Sequence, residues 1–261
     1  MSRFVNLELG GESEDCTGQG AKELIKGEAY YLAEARTAFE SGNFEQALRY
    51  YSKVLEFNPE NAGAWTGQVR MLIELGEFRE AKLWADKALE RFPSEPELLA
   101  AKAVALARSG DLHGAMAFSD ASIEERGDTA YIWLARGDVL LARKEQRADY
   151  CFEKAGTLAP QDWFTAWLAG RIRYFYKQFA LALKSFQRAV ELNAGHFLVW
   201  FELGRCQNTL GLAGAAKASL SQAMQLNPAF REASLEMIRT EKVGALARLR
   251  GWWNQQGRKG D

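Results

Sequence analysis

Net charge, cysteine, histidine and long apolar runs are all in short supply in this 261-residue sequence, and each shortage excludes something. Thirty-three basic against 34 acidic side chains leave a formal charge of −1, too little for general attraction to nucleic acid or an anionic membrane. No stretch approaches the roughly 20 apolar residues that span a bilayer. The opening run Met1-Ser2-Arg3-Phe4-Val5-Asn6-Leu7-Glu8 holds an acid and no small-residue cleavage site, so it does not read as a signal peptide. Cys16, Cys151 and Cys206 are odd in number and far apart, which fits neither a disulfide framework nor zinc spacing. Reduced thiols in the cytoplasm are the expectation. The two histidines, His113 and His196, have no Cys, Asp or Glu at ligand or triad spacing. Glycines fall at turns and close approaches rather than in a phosphate-binding loop. Acids alternate with Lys and Arg along solvent faces, and even Glu124-Glu125 reads as a solvated helix surface. Catalytic residues, cofactors and metals are therefore not expected, and the chain does not read as an enzyme.

What the sequence does have is a period. Gly42, Gly76 and Gly110 are 34 residues apart, as are Ala47, Ala81 and Ala115. The alanines continue through Ala148, Ala182 and Ala216, with one single-residue slip before Ala148. Pro59 and Pro93 share the spacing, Pro160 and Pro228 lie two periods apart, and Trp65, Trp133 and Trp200 share a phase. Four residue types with one period signal a repeat architecture.

Each repeat reads as two amphipathic helices. In the first repeat Tyr31, Ala35 and Ala38 share a face, Ser41-Gly42-Asn43 breaks the helix, and Ala47, Tyr51 and Val54 line a second helix that Asn58-Pro59 stops. Alanine at the closest approach of two helices lets the backbones pack tightly, and the aromatic four positions on fills the adjoining gap. In the last repeat, Trp200-x-x-Leu203-Gly204 followed by Ala216-x-x-x-Leu220, Ala223 and Pro228 resembles the tetratricopeptide-repeat family. The resemblance implies an all-α, right-handed solenoid of about six helix-turn-helix repeats: 28–61, 62–95, 96–129, 130–162, 163–196 and 197–230, within an array over 21–230. The third repeat departs from the pattern with Gly127 in place of proline and with Ser119 and Ser122 at packing positions. The fourth has Arg143-Lys144-Glu145-Gln146 in place of a turn glycine. A softer middle is expected.

The resemblance also implies that the first helix of each repeat lines a concave groove through its positions 2, 5, 9 and 12. Position 9 reads Arg36, Arg70, Val104, Asp138, Arg171 and Arg205. Glu40 and Glu74 stand four residues after Arg36 and Arg70 and can neutralise them, whereas Arg171 and Arg205 have no such acid, although Glu202 precedes Arg205 by three. Phe164, Trp167 and Tyr174 in the fifth repeat, and Leu198, Phe201 and Asn208 in the sixth, occupy the other inward positions. With Ala166, Leu203, Phe186 and Trp200 assigned to the core, Trp167 and Phe201 are left as exposed anchors. An exposed ion pair contributes about 0–1 kcal/mol and a buried aromatic anchor about 2 kcal/mol or more, so the rings are expected to carry the affinity while the arginines select acids. The expected partner is a protein or peptide with apolar residues beside acids, with neither nucleic acid nor membrane contact expected. The clamp by which some family members hold C-terminal carboxylates needs Lys and Asn where this chain has Leu32, Thr66, Arg36 and Arg70.

Two ends remain. Residues 1–20, Gly-rich and acidic after an alternating Val5, Leu7 and Leu9, read as a flexible arm that can join a partner's sheet edge or fold over the inner arginines. Residues 231–255, with Leu235, Ile238, Val243, Leu246, Leu249 and Trp253, read as a capping helix or helices, and 256–261 as a disordered tail. Trp252 and Trp253 beside Arg248 and Arg250 serve either as cap or as membrane contact. The overall expectation is an adaptor or assembly factor; the alternatives are a structural subunit using the convex face or cap, and a non-catalytic regulatory subunit of an enzyme.

Overall fold

The computed structural model describes residues 26–125 and 127–241. The expected arm over 1–20, most of the expected cap and the tail lie outside them. Twelve α-helices alternate as first and second members of six pairs: α1 Glu28–Glu40, α2 Phe44–Phe57, α3 Ala62–Glu74, α4 Phe78–Arg91, α5 Pro96–Ser109, α6 Leu112–Glu124, α7 Ala130–Ala142, α8 Ala148–Leu158, α9 Trp163–Phe175, α10 Phe179–Leu192, α11 Phe197–Thr209 and α12 Ala213–Leu226. Residues 231–241 are also helical, and the described residues contain no strand.

The second helices show why the alanines repeat. Ala47, Ala81, Ala115, Ala148, Ala182 and Ala216 are all at most 1% exposed. Seven residues later Val54, Ala88, Ser122, Ala155, Ala189 and Ala223 are buried as completely. Between them sits a residue of variable size: Tyr51, Ala85, Ser119, Phe152, Phe186 or Leu220. Tyr51, Phe186 and Leu220 each meet a glycine. A Cβ at Gly170 would stand 2.5 Å from the Phe186 ring, and one at Gly204 would stand 2.8 Å from Leu220 Cγ. The buried serines of the third repeat are satisfied, since Ser122 Oγ donates to Ser119 O (2.8 Å) and Arg136 Nη1 to Ser119 Oγ (3.2 Å).

Within each pair the turn passes through the left-handed region at Gly42, Gly76, Gly110, Lys144, Lys177 and Gly211. Glycine takes this conformation without penalty, whereas the two lysines, at φ 59° and 61°, hold it against Cβ strain. The turn of the fourth repeat therefore survives the loss of its glycine. Its one-residue deletion lies after Lys144, where α8 begins at Ala148, is the shortest helix of the twelve, and starts at Arg147 without a side-chain cap. Asn43, Asn61, Asp111, Thr129, Asp162 and His196 cap other helices by accepting from backbone N–H groups.

The in-phase tryptophans tie down the connections before α3, α7 and α11. Trp65 Nε1 donates to Pro59 O (2.9 Å), Trp200 Nε1 to Ala194 O (2.7 Å), and Trp133 Nε1 to Asp128 Oδ1 (2.8 Å).

The chain divides into two compact bodies, Met1–Glu145 and Gln146–Asp261, and the boundary falls at the shortened turn of the fourth repeat. In the N-terminal body α5 is the hub, packing on α6, α7, α4 and α3. A core of Ala103, Leu106, Ala107, Ala115 and Val139 lies beneath Met116 and Phe118. In the C-terminal body α9 pairs with α10, α11 with α12, and α10 bridges the pairs. Over 231–241 the buried residues are Ala233, Glu236 and Thr240, while Leu235 and Ile238 are 59% and 49% exposed. Leu235 and Ile238 of the expected capping stripe thus face away from the packed side, and the rest of that stripe lies outside the described residues.

Candidate functional site

The first helices of the C-terminal body bring five of the expected groove residues around one buried acid. Glu202, on α11, is 1% exposed and reaches both arginines. Arg171 Nη1 donates to its Oε1 at 2.9 Å, and Arg205 Nη2 lies 2.9 Å from its Oε2 as an ionic contact rather than an aligned hydrogen bond. Each guanidinium also lies over rings: Arg171 over Trp167 (4.9 Å to the centroid), Arg205 over Tyr174 (4.7 Å) and Phe201 (5.8 Å). Tyr174 Oη and Thr209 Oγ1 share a hydrogen bond at 2.8 Å across α9 and α11. Phe164 stacks on Trp167 at 5.1 Å. The arginine side chains keep 19% and 32% exposure, and Phe164 and Tyr174 are half-buried.

Two expectations need correction. Trp167 is fully buried and Phe201 is 8% exposed, so neither is an exposed anchor, and Leu198 is buried with them. Ala166 and Trp200, assigned to the core, are only half-buried. The cause is that α9 is buried around most of its circumference, over 167–170 and at Ile172 and Arg173, so no single core stripe exists to be filled. Arg171 and Arg205, which have no acid four residues on, are nevertheless both held by one buried carboxylate. Asn208 is committed as well: its Nδ2 donates to Glu236 Oε1 at 2.7 Å.

In the N-terminal body, Arg36 pairs with Glu40 at 2.9 Å as the four-residue spacing predicts. Arg70 instead lies between the rings of Phe39 (5.0 Å) and Tyr131 (3.8 Å). Asp138, the odd acid in the position-9 series, is 1% exposed and takes a forked contact from Arg108 Nε (3.1 Å) and Nη2 (2.6 Å). Sequence reasoning missed Glu202, Asp138 and Glu236 as buried bridges between consecutive first helices. Their one signal was an acid standing among apolar residues on a first helix.

His196 is structural. Its Nδ1 accepts from Leu198 N (3.3 Å), and its ring stacks on Trp163 at 4.5 Å. Among the described residues no three or more His, Cys, Asp or Glu side chains cluster to hold a metal. Among them, too, no helix is long and apolar enough to cross a membrane.

Two tetratricopeptide-repeat family models match the sequence, over residues 38–105 and 168–229. The chain belongs to the tetratricopeptide-repeat family. Solved structures with the same fold include the Cut9–Hcn1 hetero-tetramer of the APC/C, at 17% identity and TM-score 0.51, covering 84% of this chain and 44% of that one. This chain therefore spans less than half of that relative's length. A tetratricopeptide-repeat protein from Parabacteroides merdae is similar at 14% identity and TM-score 0.53, covering 84% and 86% of the two chains. IFIT1 bound to m7Gppp-AAAA is similar at 16% identity and TM-score 0.51, covering 84% and 57%. No curated protein matches the sequence. Tetratricopeptide-repeat proteins bind protein or peptide partners and are generally non-catalytic, and the array supports an interaction or scaffolding role.

Proposed function

We propose that this tetratricopeptide array is an adaptor or assembly factor that holds an extended acidic segment of a partner protein along α9 and α11. The observation that carries the reading is the Arg171–Glu202–Arg205 trio. A buried carboxylate and the rings beneath fix both guanidinium planes before a ligand arrives. Little side-chain entropy is then lost on binding. The partly exposed arginines offer charge-assisted donors to a partner's carboxylates, and half-buried Phe164 and Tyr174 offer apolar contact beside them. With Trp167 inside the fold, those two rings replace it as the anchors. The net charge of −1 favours a protein ligand over a polyanion such as the m7Gppp-AAAA bound to IFIT1.

The test must spare the core, so Trp167→Ala is unsuitable. Arg205→Ala with Phe164→Ala leaves Arg171 on Glu202. Affinity capture from native extract, with partners identified by mass spectrometry, should lose a subset of partners with this variant while its helicity stays unchanged. Retention of every partner at wild-type level would move the interaction to the second-helix face or the ends, and a structural-subunit role would lead.

A further inference from the structure

A second feature of the C-terminal body lies on the opposite side of α9. A cleft of about 340 Å³ opens between α8 and α10, floored by Ala166 and Ala169 of α9. Small-ligand sites begin at about this size. Its walls carry three cations, Arg173, Lys184 and Arg188. Arg173 is the unusual one, being only 8% exposed. Its Nη2 donates to Asp149 at 3.0 Å, its plane lies 4.6 Å from the centroid of Phe152, and its Nε is buried without an acceptor. An orphaned buried donor is costly, and a guanidinium N–H more so than a neutral one. Burial also pulls the Arg173 pKa below the usual arginine value, against the opposing pull of Asp149 and Glu153.

The acids nearby do not cancel this. Asp162 lines the cleft, but its carboxylate is occupied by Phe164 N (3.2 Å), Thr165 N (3.1 Å) and Thr165 Oγ1 (2.6 Å). Asp149 and Glu191, which pair with Arg173 and Arg188, are 55% and 64% exposed and stand outside the lining. Glu153 is the remaining acid on the wall, and it favours a monoanion over a dianion by like-charge repulsion.

We propose that this cleft binds a carboxylate carried on a small apolar group, with the carboxylate meeting Arg173 Nε between Lys184 and Arg188 and the apolar group lying on the alanine floor. The carboxylate belongs either to a free organic acid or to an acidic residue of a peptide. Its recognition is independent of the α9–α11 face.

The readout is the Nε–Hε signal of Arg173 in a ¹⁵N spectrum of the full chain, assigned by its loss in Arg173→Lys. Four probes are titrated to ~10 mM, a range that captures weak binding: benzoate, acetyl-Ala-Leu-Glu-amide, its Gln counterpart and inorganic phosphate. Benzoate or the Glu peptide should move the signal, and the Gln peptide should not. Movement by benzoate alone identifies a free acid as the ligand class, and movement by the Glu peptide alone identifies a protein segment; both outcomes support the site. Lys184→Glu with Arg188→Glu, both at exposed positions, should weaken binding about tenfold or more without loss of helicity. Arg205→Ala with Phe164→Ala should leave the titration unchanged. The proposal is overturned if neither carboxylate moves the signal, if the Gln peptide or inorganic phosphate matches them, or if the charge reversals bind as wild type.

Discussion

Replacing Glu202 by Gln tests whether the Arg171–Glu202–Arg205 trio is a buried, coupled unit or a surface decoration. The substitution keeps shape and volume but removes the charge that both Arg171 and Arg205 touch at 2.9 Å. Breaking a buried ion pair from one side costs about 3–5 kcal/mol, because the surviving charge stays desolvated. Here the surviving charges are partly wet, at 19% and 32% side-chain exposure, while Glu202 is at 1%. Water can recover part of the loss, which brings the expected cost to about 2–3 kcal/mol. Urea unfolding followed by far-UV circular dichroism reads it. For a slope of ~3 kcal/mol per molar, the transition of the C-terminal body should fall by about 0.7–1 M. The N-terminal body should be less affected, because repeat arrays couple mainly through nearest neighbours. Raising the salt should change the difference little, since a buried contact is poorly screened. The triple change Glu202→Leu, Arg171→Met and Arg205→Met removes the charges together and should return stability to within about 1 kcal/mol of wild type. A Glu202→Gln midpoint within ~0.2 M of wild type would refute the argument. A triple variant as unstable as the single one would refute the coupling.

Other positions yield sharper signs than magnitudes. Gly170→Ala should destabilise by about 1–3 kcal/mol because its Cβ would meet the Phe186 ring, and Phe186→Leu should relieve it. The same change at Gly156, where a Cβ meets no atom within 4 Å, should stabilise α8 by up to about 1 kcal/mol; thermal melts of the pair check both signs. Lys144→Gly and Lys177→Gly should each raise the melting temperature, by about 0.5–1 kcal/mol of stability, because the native φ is positive at both. Burial, aided by Glu202, pushes the Cys206 thiol from its ordinary value of 9.0 up to about 11. The folded state then keeps a proton that the unfolded state releases, so this stability is complete below about pH 9 and is lost towards pH 11. Cys206→Ala should flatten that part of the stability profile measured by denaturant titration at fixed pH values.

The legible and illegible parts of this chain separate along the two kinds of helix. A second helix packs through one face, so α10 buries Ala182, Phe186 and Ala189 at helical spacing and leaves its other side to solvent. A pattern argument works there, and the alanine period located all six second helices and the one-residue slip. The turns were legible for the same local reason, although Lys144 shows that the left-handed conformation outlives its glycine when the fold on both sides demands it. First helices are enclosed from several directions. In α5, residues 98–101 and 103–107 are all buried. Sorting such a helix into core positions and spare ones has no physical basis, which is why Trp167 and Phe201 were placed on the wrong side of the surface. The same enclosure explains the missed acids. A carboxylate survives there when a donor from a neighbouring first helix meets it, as Arg108 meets Asp138 and Arg171 meets Glu202. Those partners lie 30 and 31 residues apart, far beyond the three- and four-residue spacings that a single-helix reading inspects. In a repeat array the informative spacing for a buried charge is therefore about one period, and an acid on a first helix should be matched with arginines one repeat away before it is assigned to solvent.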